Sequence, residues 1–350
     1  MAYTAIDDPS AFFQTTLYTG TGSSLVVTNG GNSDLQPDWV WIKPRAITEG
    51  HFLTDSVRGV RQTIRSYRTN AEETESQGLT AFSSDGFTMG TNSDINTDDE
   101  PGVAWQWKAG TSFSNDASST SVGSIDSAGS VNTDAGFSIM TYTGTGSNAT
   151  FAHGLGAVPK MAIFKDRSGT GYWMTYHVSI GNGANLVLNA TDASSAASVW
   201  WNSTTPTSSV FSIGTSNNIN VSGRNYVGYL FAEKKGYSKI ASYIGNGNAN
   251  GPYIHLGFKP AWILIKRSSN AGNDWGLFDN KRLGFNVDNE ELRPSATDVE
   301  QTDDRLDILS NGFKIKSAGA GFNASGDTFI YMAFAENPFV TSTGVPATAR

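Results

Sequence analysis

The chain has 350 residues, enough for two or three ordinary cores, and carries a net charge of −8 with 16% charged residues, against the ~25% usual in globular proteins. It has no cysteine, which excludes disulfides, zinc–thiolate centres and thiol nucleophiles. No basic face stands out beyond Arg58–Arg68, so nucleic-acid binding is not expected, and no apolar run reaches the ~18 residues of a membrane span.

Residues 1–16 read as an N-terminal arm without the basic and apolar regions of a secretory signal, so export by ordinary secretion is not expected. Next comes Tyr18-Thr-Gly-Thr-Gly22, which recurs as Tyr142-Thr-Gly-Thr-Gly146 and Tyr243-Ile-Gly-Asn-Gly247. Each copy is followed by a proline that opens an apolar run ending in lysine. The runs are Pro37-Asp-Trp-Val-Trp-Ile-Lys43, Pro159-Lys-Met-Ala-Ile-Phe-Lys165 and Pro260-Ala-Trp-Ile-Leu-Ile-Lys266. Each copy closes on a similar strand: Val103–Trp107, Val227–Glu233 and Ile330–Glu336. These landmarks keep their spacing from copy to copy to within about two residues, the signature of an internal repeat.

The boundaries follow: repeat one over 17–108, a Ser/Gly-rich linker over 109–136 in which Val122, Ile125 and Val131 allow part to add as an edge strand, repeat two over 137–235, repeat three over 236–338 and a tail over 339–350. Pro346 precludes a helix of any length in the tail. The runs after the prolines are apolar on both faces and call for cover on both sides. Asp85-Gly86 and Asn311-Gly312 favour hairpins. Trp105/Trp107, Tyr229/Phe231 and Met332/Phe334 alternate at two-residue spacing and should share one buried face. Asn70–Gln77 could form two helical turns capped by Asn70, and Asp298–Leu309 is ambiguous. With seven or eight strands per unit, the fold class is all-β: three tandem β-sandwich domains of jelly-roll or lectin-like type.

The opening Met1-Ala-Tyr-Thr-Ala-Ile-Asp-Asp-Pro-Ser10 resembles the start of many bacteriophage virion proteins, especially from marine phages. So do Asp55-Ser-Val-Arg-Gly59, Leu79–Phe87, Val103–Lys108 and the ending Phe334-Ala-Glu-Asn-Pro-Phe339 with its tail. The resemblance covers essentially the whole chain. It implies a virion location, tail-fibre-like modules with lectin-like sandwiches, and a binding or structural role in a homo-oligomer, trimeric by analogy. It brings no catalytic motif, so an enzyme is not expected. The implied partners are other virion proteins and a host-surface glycan.

Trp200 and Trp201, in a Ser/Thr/Ala-rich stretch, are the candidates for stacking on a sugar face, with Trp173 and Trp275 as similar candidates; each could instead cap a core. Asp55/Arg58 and Asp279/Arg282 read as ion pairs fixing a turn, or as contacts to a polar ligand, and the middle copy, Tyr176-His-Val-Ser179, lacks both charges. Lys43, Lys165 and Lys266 are expected to run their stems along the core and reach solvent. His51, His153, His177 and His255 show no metal-ligand spacing, and the acidic stretches Asp94–Glu100 and Asp298–Asp307 do not fit a calcium loop; no metal or cofactor is expected. The readings are then an attachment protein of a tail fibre or appendage, an architectural protein that decorates the capsid or cements the tail, or a glycan depolymerase, for which no acid/base pair can be chosen.

Overall fold

The computed structural model describes residues 2–282, 286 and 290–348. Unit one contains β1 (Phe13–Thr19), β2 (Leu25–Thr28), β3 (Trp39–Pro44), β4 (Phe52–Asp55), β5 (Gln62–Arg65), β6 (Glu73–Thr74), β7 (Leu79–Ser83), β8 (Gly86–Met89) and β9 (Pro101–Trp107). A hairpin of β10 (Thr111–Asn115) and β11 (Ser127–Asn132) leads into unit two. That unit holds β12 (Phe137–Thr143), β13 (Ala149–Ala152), β14 (Met161–Asp166), β15 (Met174–His177), β16 (Ala184–Val187), β17 (Ser195–Ala196), β18 (Val210–Ile213) and β19 (Asn225–Phe231). Unit three holds β20 (Ser238–Ile244), β21 (Tyr253–His255), β22 (Phe258–Arg267), β23 (Gly276–Asp279), β24 (Leu306–Leu309), β25 (Gly312–Ile315) and β26 (Thr328–Pro338).

One strand order recurs. The main sheets run β1-β9-β3-β4, β12-β19-β14-β15 and β20-β26-β22-β23, so the first strand of each unit lies beside its last. Smaller sheets, β2-β8-β7, β13-β18 and β21-β25-β24, cover one face of each main sheet, making every unit a sandwich. The post-proline strands are buried on both faces, for two different reasons. In β3, Val40 and Ile42 meet the small sheet of their own unit, while Trp39 and Trp41 point the other way.

That other face joins the three units. Trp39, Trp107, Phe137, Tyr229, Phe231, Trp262 and Phe334 belong to one continuous core. Trp39 stacks on Tyr229 at 4.3 Å, Trp107 meets Trp262 edge-on at 5.4 Å, and Phe231 and Trp107 each approach Phe334 at 5.9 Å. The units are therefore lobes around a shared aromatic centre, not free-standing tandem domains. A large-to-small change at one of these rings costs about 3–5 kcal/mol and is felt by neighbouring lobes as well as its own.

Several expectations are corrected. Residues 109–136 are not a linker throughout: part adds as an edge strand, β11 pairing with β12 and widening the sheet of unit two. Residues 13–16 belong to β1, so unit one begins before 17. The rest of the arm is docked: the Tyr3 hydroxyl donates to Gly257 O at 2.7 Å, Ile6 enters the shared core, and the Asp7 carboxylate accepts from Ser342 N at 2.6 Å. Within Asn70–Gln77, Glu73–Thr74 is a strand paired with Gln62–Thr63; arginine partners for its carboxylates outweigh local helix propensity. Leu306–Leu309 is a strand as well. The two expected hairpins form, with Ser84-Asp85 and Ser310-Asn311 as the turn residues and the glycine opening the next strand. At Gly86, φ is 109° and a Cβ would lie 2.0 Å from Val27 O, so the strand crossing requires glycine.

Candidate functional site

The contacts between lobes run in a cycle, from unit one to two, two to three and three to one. At the end of β4, β15 and β23 stand Asp55, His177 and Asp279, in register with Trp39, Met161 and Trp262. Each reaches the closing strand of the next unit. Asp55 accepts from the Tyr229 hydroxyl at 2.7 Å, and Asp279 from the Trp105 indole at 2.9 Å. His177 Nδ1 accepts from Ser179 N, so Nε2 carries the proton and donates to Tyr331 O at 3.2 Å. The counterpart of Tyr229 and Trp105 there is Met332, which has no polar hydrogen to offer.

The Asp-x-x-Arg pairs are thus structural, and they are fully buried. Arg58 Nε lies 2.5 Å from Asp55 and Arg282 Nε 2.8 Å from Asp279, with both members of each pair sealed from solvent. Burial works against the Arg58 charge, but Asp55, Tyr229 and Glu72 overcome it and hold the guanidinium ionised. Each network crosses its seam: Arg58–Glu72–Arg167 at one, Arg282–Glu300–Arg45 at another. The strand register shifts the sequence alignment by one: His177 replaces the aspartate, and Ile180, packed against the core, replaces the arginine. Backbone bonds Glu72 N to Arg167 O, Ser194 N to Ser268 O and Glu300 N to Arg45 O mark the other equivalent positions. The middle seam therefore carries none of the four charges, in keeping with a network whose members depend on one another.

Trp173, Trp201 and Trp275 take the core-capping alternative and are not placed to stack on a sugar. Trp173, Trp201 and Trp275 are buried. Trp173 Nε1 donates to Arg65 O at 3.0 Å and Trp275 Nε1 to Val187 O at 2.9 Å, each stapling its unit to the preceding one. His51 takes the third such place: its Nδ1 accepts from Trp41 Nε1 at 2.8 Å, and its ring faces the backbone of Arg293. Trp201 packs on Phe164, Tyr176 and Phe211, and Trp200 is half-buried against the same cluster. Their Ser/Thr-rich surroundings are turns wrapped over that core.

Lys43, Lys165 and Lys266 do not reach solvent either. All three are buried, and burial pushes each down to about 8. Lys165 Nζ donates to Thr69 O at 3.2 Å and Asp166 O at 2.9 Å; Lys266 Nζ donates to Thr191 O at 3.1 Å and Asn273 O at 2.5 Å. They tie down carbonyls along the seams. Sequence reading also missed Asn96, Asn220 and Asn323, which clasp the repeated glycine loops. Their amides donate to Ser23 O, Ser147 O and Asn248 O and accept from Thr21 N, Thr145 N and Asn246 N. Their recurrence in step with the repeat was the signal. The Tyr-Thr-Gly-Thr-Gly motif is accordingly a folding clasp.

His51, His153 and His177 are buried and His255 is exposed. Among the described residues, no group of three His, Cys, Asp or Glu is arranged to hold a metal ion.

Two connected grooves are open on the surface, one on unit three and one where unit three meets unit one. The larger, about 860 Å³, is lined by Lys259, Asn280, Lys281, Ser310, Asn311 and Glu336. The smaller, about 540 Å³, runs along Phe13–Leu17 and shares Asn280, Lys281, Glu336 and Asn337. Lys259 pairs with Glu336 at 2.5 Å. On the outer sheet beside the larger groove, Tyr253 is 46% exposed and its hydroxyl donates to Asn311 Oδ1 at 2.6 Å. Amides, a hydroxyl and an ion pair beside an open aromatic ring suit a ligand rich in hydroxyl groups.

An all-β protein of three sandwich lobes closed around one core, with a polar groove at one seam, is the class that fold and site define. The chain belongs to the family described as Domain of unknown function (DUF7483), which matches residues 8–338. No curated protein and no solved structure matches it.

Proposed function

We propose that this chain is a structural protein of a bacteriophage virion, an attachment component of a tail fibre or appendage that binds a host-surface glycan. The virion setting rests on the resemblance of its opening, internal and closing motifs to phage virion proteins. The binding role rests on the groove of about 860 Å³, whose Asn280, Asn311 and Asn337 amides and Lys259–Glu336 pair lie beside the open Tyr253 ring. Sugars are held this way, by bidentate amide hydrogen bonds and an apolar ring face. Weak binding at one groove gains strength when many copies stand on one particle.

The test is binding of the purified chain to host cells and envelope polysaccharide, compared with Tyr253→Ala and Asn311→Ala. Both positions are surface-exposed or part-exposed, so the variants should fold. Saturable binding weakened about tenfold or more by either change supports the reading, each site contributing ~1–2 kcal/mol. Binding unaffected by both, or none at all, rejects it.

The architectural reading, capsid decoration or tail cementing, is favoured by one separate observation: an open sheet edge along Phe13–Leu17. Glycan cleavage is not proposed, because Glu336, the carboxylate in the groove, is engaged with Lys259.

A further inference from the structure

Each main sheet begins with a strand whose inner edge pairs with the closing strand and whose outer edge faces the preceding lobe. These are β1, β12 and β20, and Thr15, Ile139 and Ile240 are equivalent, lying opposite Trp105, Tyr229 and Met332. The outer edges are completed in different ways. The edge of β12 is paired along its length with β11, from Asn132 opposite Phe137 to Ser127 opposite Tyr142. The edge of β20 is capped by Glu233: its Oε2 accepts from Ile240 N at 3.1 Å, and Lys160 and Lys239 hold the carboxylate at 3.1 Å each. That bond shows that the backbone of this position points outward. By the same register, the backbone of Phe13, Thr15 and Leu17 points into the smaller groove.

The edge of β1 has neither device. Glu336, the counterpart of Glu233, turns to Lys259. The chain that leaves the counterpart Ala109 runs into the hairpin of unit two, anchored by Ala109 N and Gly110 N on Asp38 Oδ2 at 2.9 and 2.6 Å. Thr15 is 8% exposed, yet its Oγ1 has no hydrogen-bond partner, nor does Asn280 Oδ1 on the opposite wall. Leu17, farther along, is 40% exposed. A buried hydroxyl without a partner in a groove floored by a strand edge is costly unless something enters.

We propose that the β1 edge accepts an extended strand donated by a neighbouring polypeptide, added antiparallel as Ser127–Asn132 is added to β12. Main-chain hydrogen bonds to Thr15 and Leu17 supply the affinity, and the side chain opposite Thr15 supplies specificity. In unit two that place is taken by Ser130, so a serine, threonine or asparagine there would pair with Thr15 Oγ1. The entering segment is uncharged and built of small and β-branched residues. In a second copy of this chain β11 is already paired within its own unit two, and the donor proposed here is a strand of a different protein.

The experiment uses the full chain and a synthetic peptide of residues 127–133, Ser-Ala-Gly-Ser-Val-Asn-Thr, with blocked termini, followed by amide hydrogen exchange. Millimolar peptide should slow exchange in Phe13–Tyr18 by about tenfold and leave β20 unchanged. The same peptide N-methylated at alternate residues, which cannot form the ladder, should have no effect, and Leu17→Glu, on the exposed part of the edge, should abolish protection. Absence of added protection at Phe13–Tyr18 overturns the proposal. So does protection confined to β12, which would mean exchange with the resident hairpin, or equal protection by the N-methylated peptide. Glycan binding at Tyr253 and Asn311 is read independently of any of these results.

Discussion

Trp105 and Asp279, 174 residues apart in the chain, meet at 2.9 Å across the last seam of the ring. The same carboxylate holds the buried Arg282 through Nε and the backbone amide. Removing it by Asp279→Ala leaves a guanidinium inside the protein with Glu300 and the Leu277 carbonyl as its partners. The expected loss is about 3–5 kcal/mol, read as a lower denaturant midpoint. Trp105→Phe, which deletes the indole donor and part of the buried ring, should cost about 1–3 kcal/mol. A midpoint unchanged by Asp279→Ala would show that the network contributes nothing.

The middle seam tests whether its charges vanished as a set. Ile180→Arg alone buries an unpaired cation and should destabilise by about 3–5 kcal/mol. Adding His177→Asp and Ser194→Glu restores the partners found at the other seams and should recover at least about half of that loss. The interaction energy of the triple variant, from a mutant cycle, is the measurement; simple additivity would contradict the reading.

The buried lysines predict an alkaline effect with a definite sign. Folding lowers Lys165 from 10.5 to about 8, chiefly through burial. Between those values the unfolded chain holds more protons, so this contribution to stability grows as pH rises from about 8 towards 10. Lys165→Met should remove that part of the rise, in urea midpoints at pH 7.5 and 9.5. The Cε resonances of Lys43, Lys165 and Lys266 should titrate near 8; midpoints near 10.5 would place them in water.

Glu290 behaves oppositely. Burial, and then the adjacent Glu300, push it up from 4.5 to about 7. Its folded carboxyl keeps a proton that the unfolded one releases, so its contribution is whole below about 4.5 and is lost as pH rises through 7. Glu290→Gln should flatten the stability profile between pH 5 and 7. An unaltered slope would show that Glu290 is ionised in the fold.

Much of this architecture was legible because it is written in period-two patterns. Trp105/Trp107 and its counterparts declared the inner face, and the proline-opened runs declared strands covered twice. What covers them was not legible. The lobes meet through Asp55, His177 and Asp279; the two aspartates recur, but the middle copy aligns Tyr176 with them, one place from His177, so the repeat did not expose the three as a set. Lys165 looks like any strand-end lysine until the Thr69 carbonyl of another lobe is placed beside it. Ser127–Asn132 has the composition of a loop because an added edge strand has little apolar surface to bury. The sequence left Trp201 open between core and sugar for the converse reason: the polar residues around it belong to the turns that enclose it. Of the groove, only the turn at Asn311-Gly312 was visible in advance. Its walls come from both ends of the chain.

Three identical subunits would be bound to repeat every seam three times over. Carrying the lobes on one polypeptide releases each seam to evolve by itself. One has become a braid, one a sealed joint and one an opening. Each molecule therefore has a direction that a symmetric trimer of such lobes would lack.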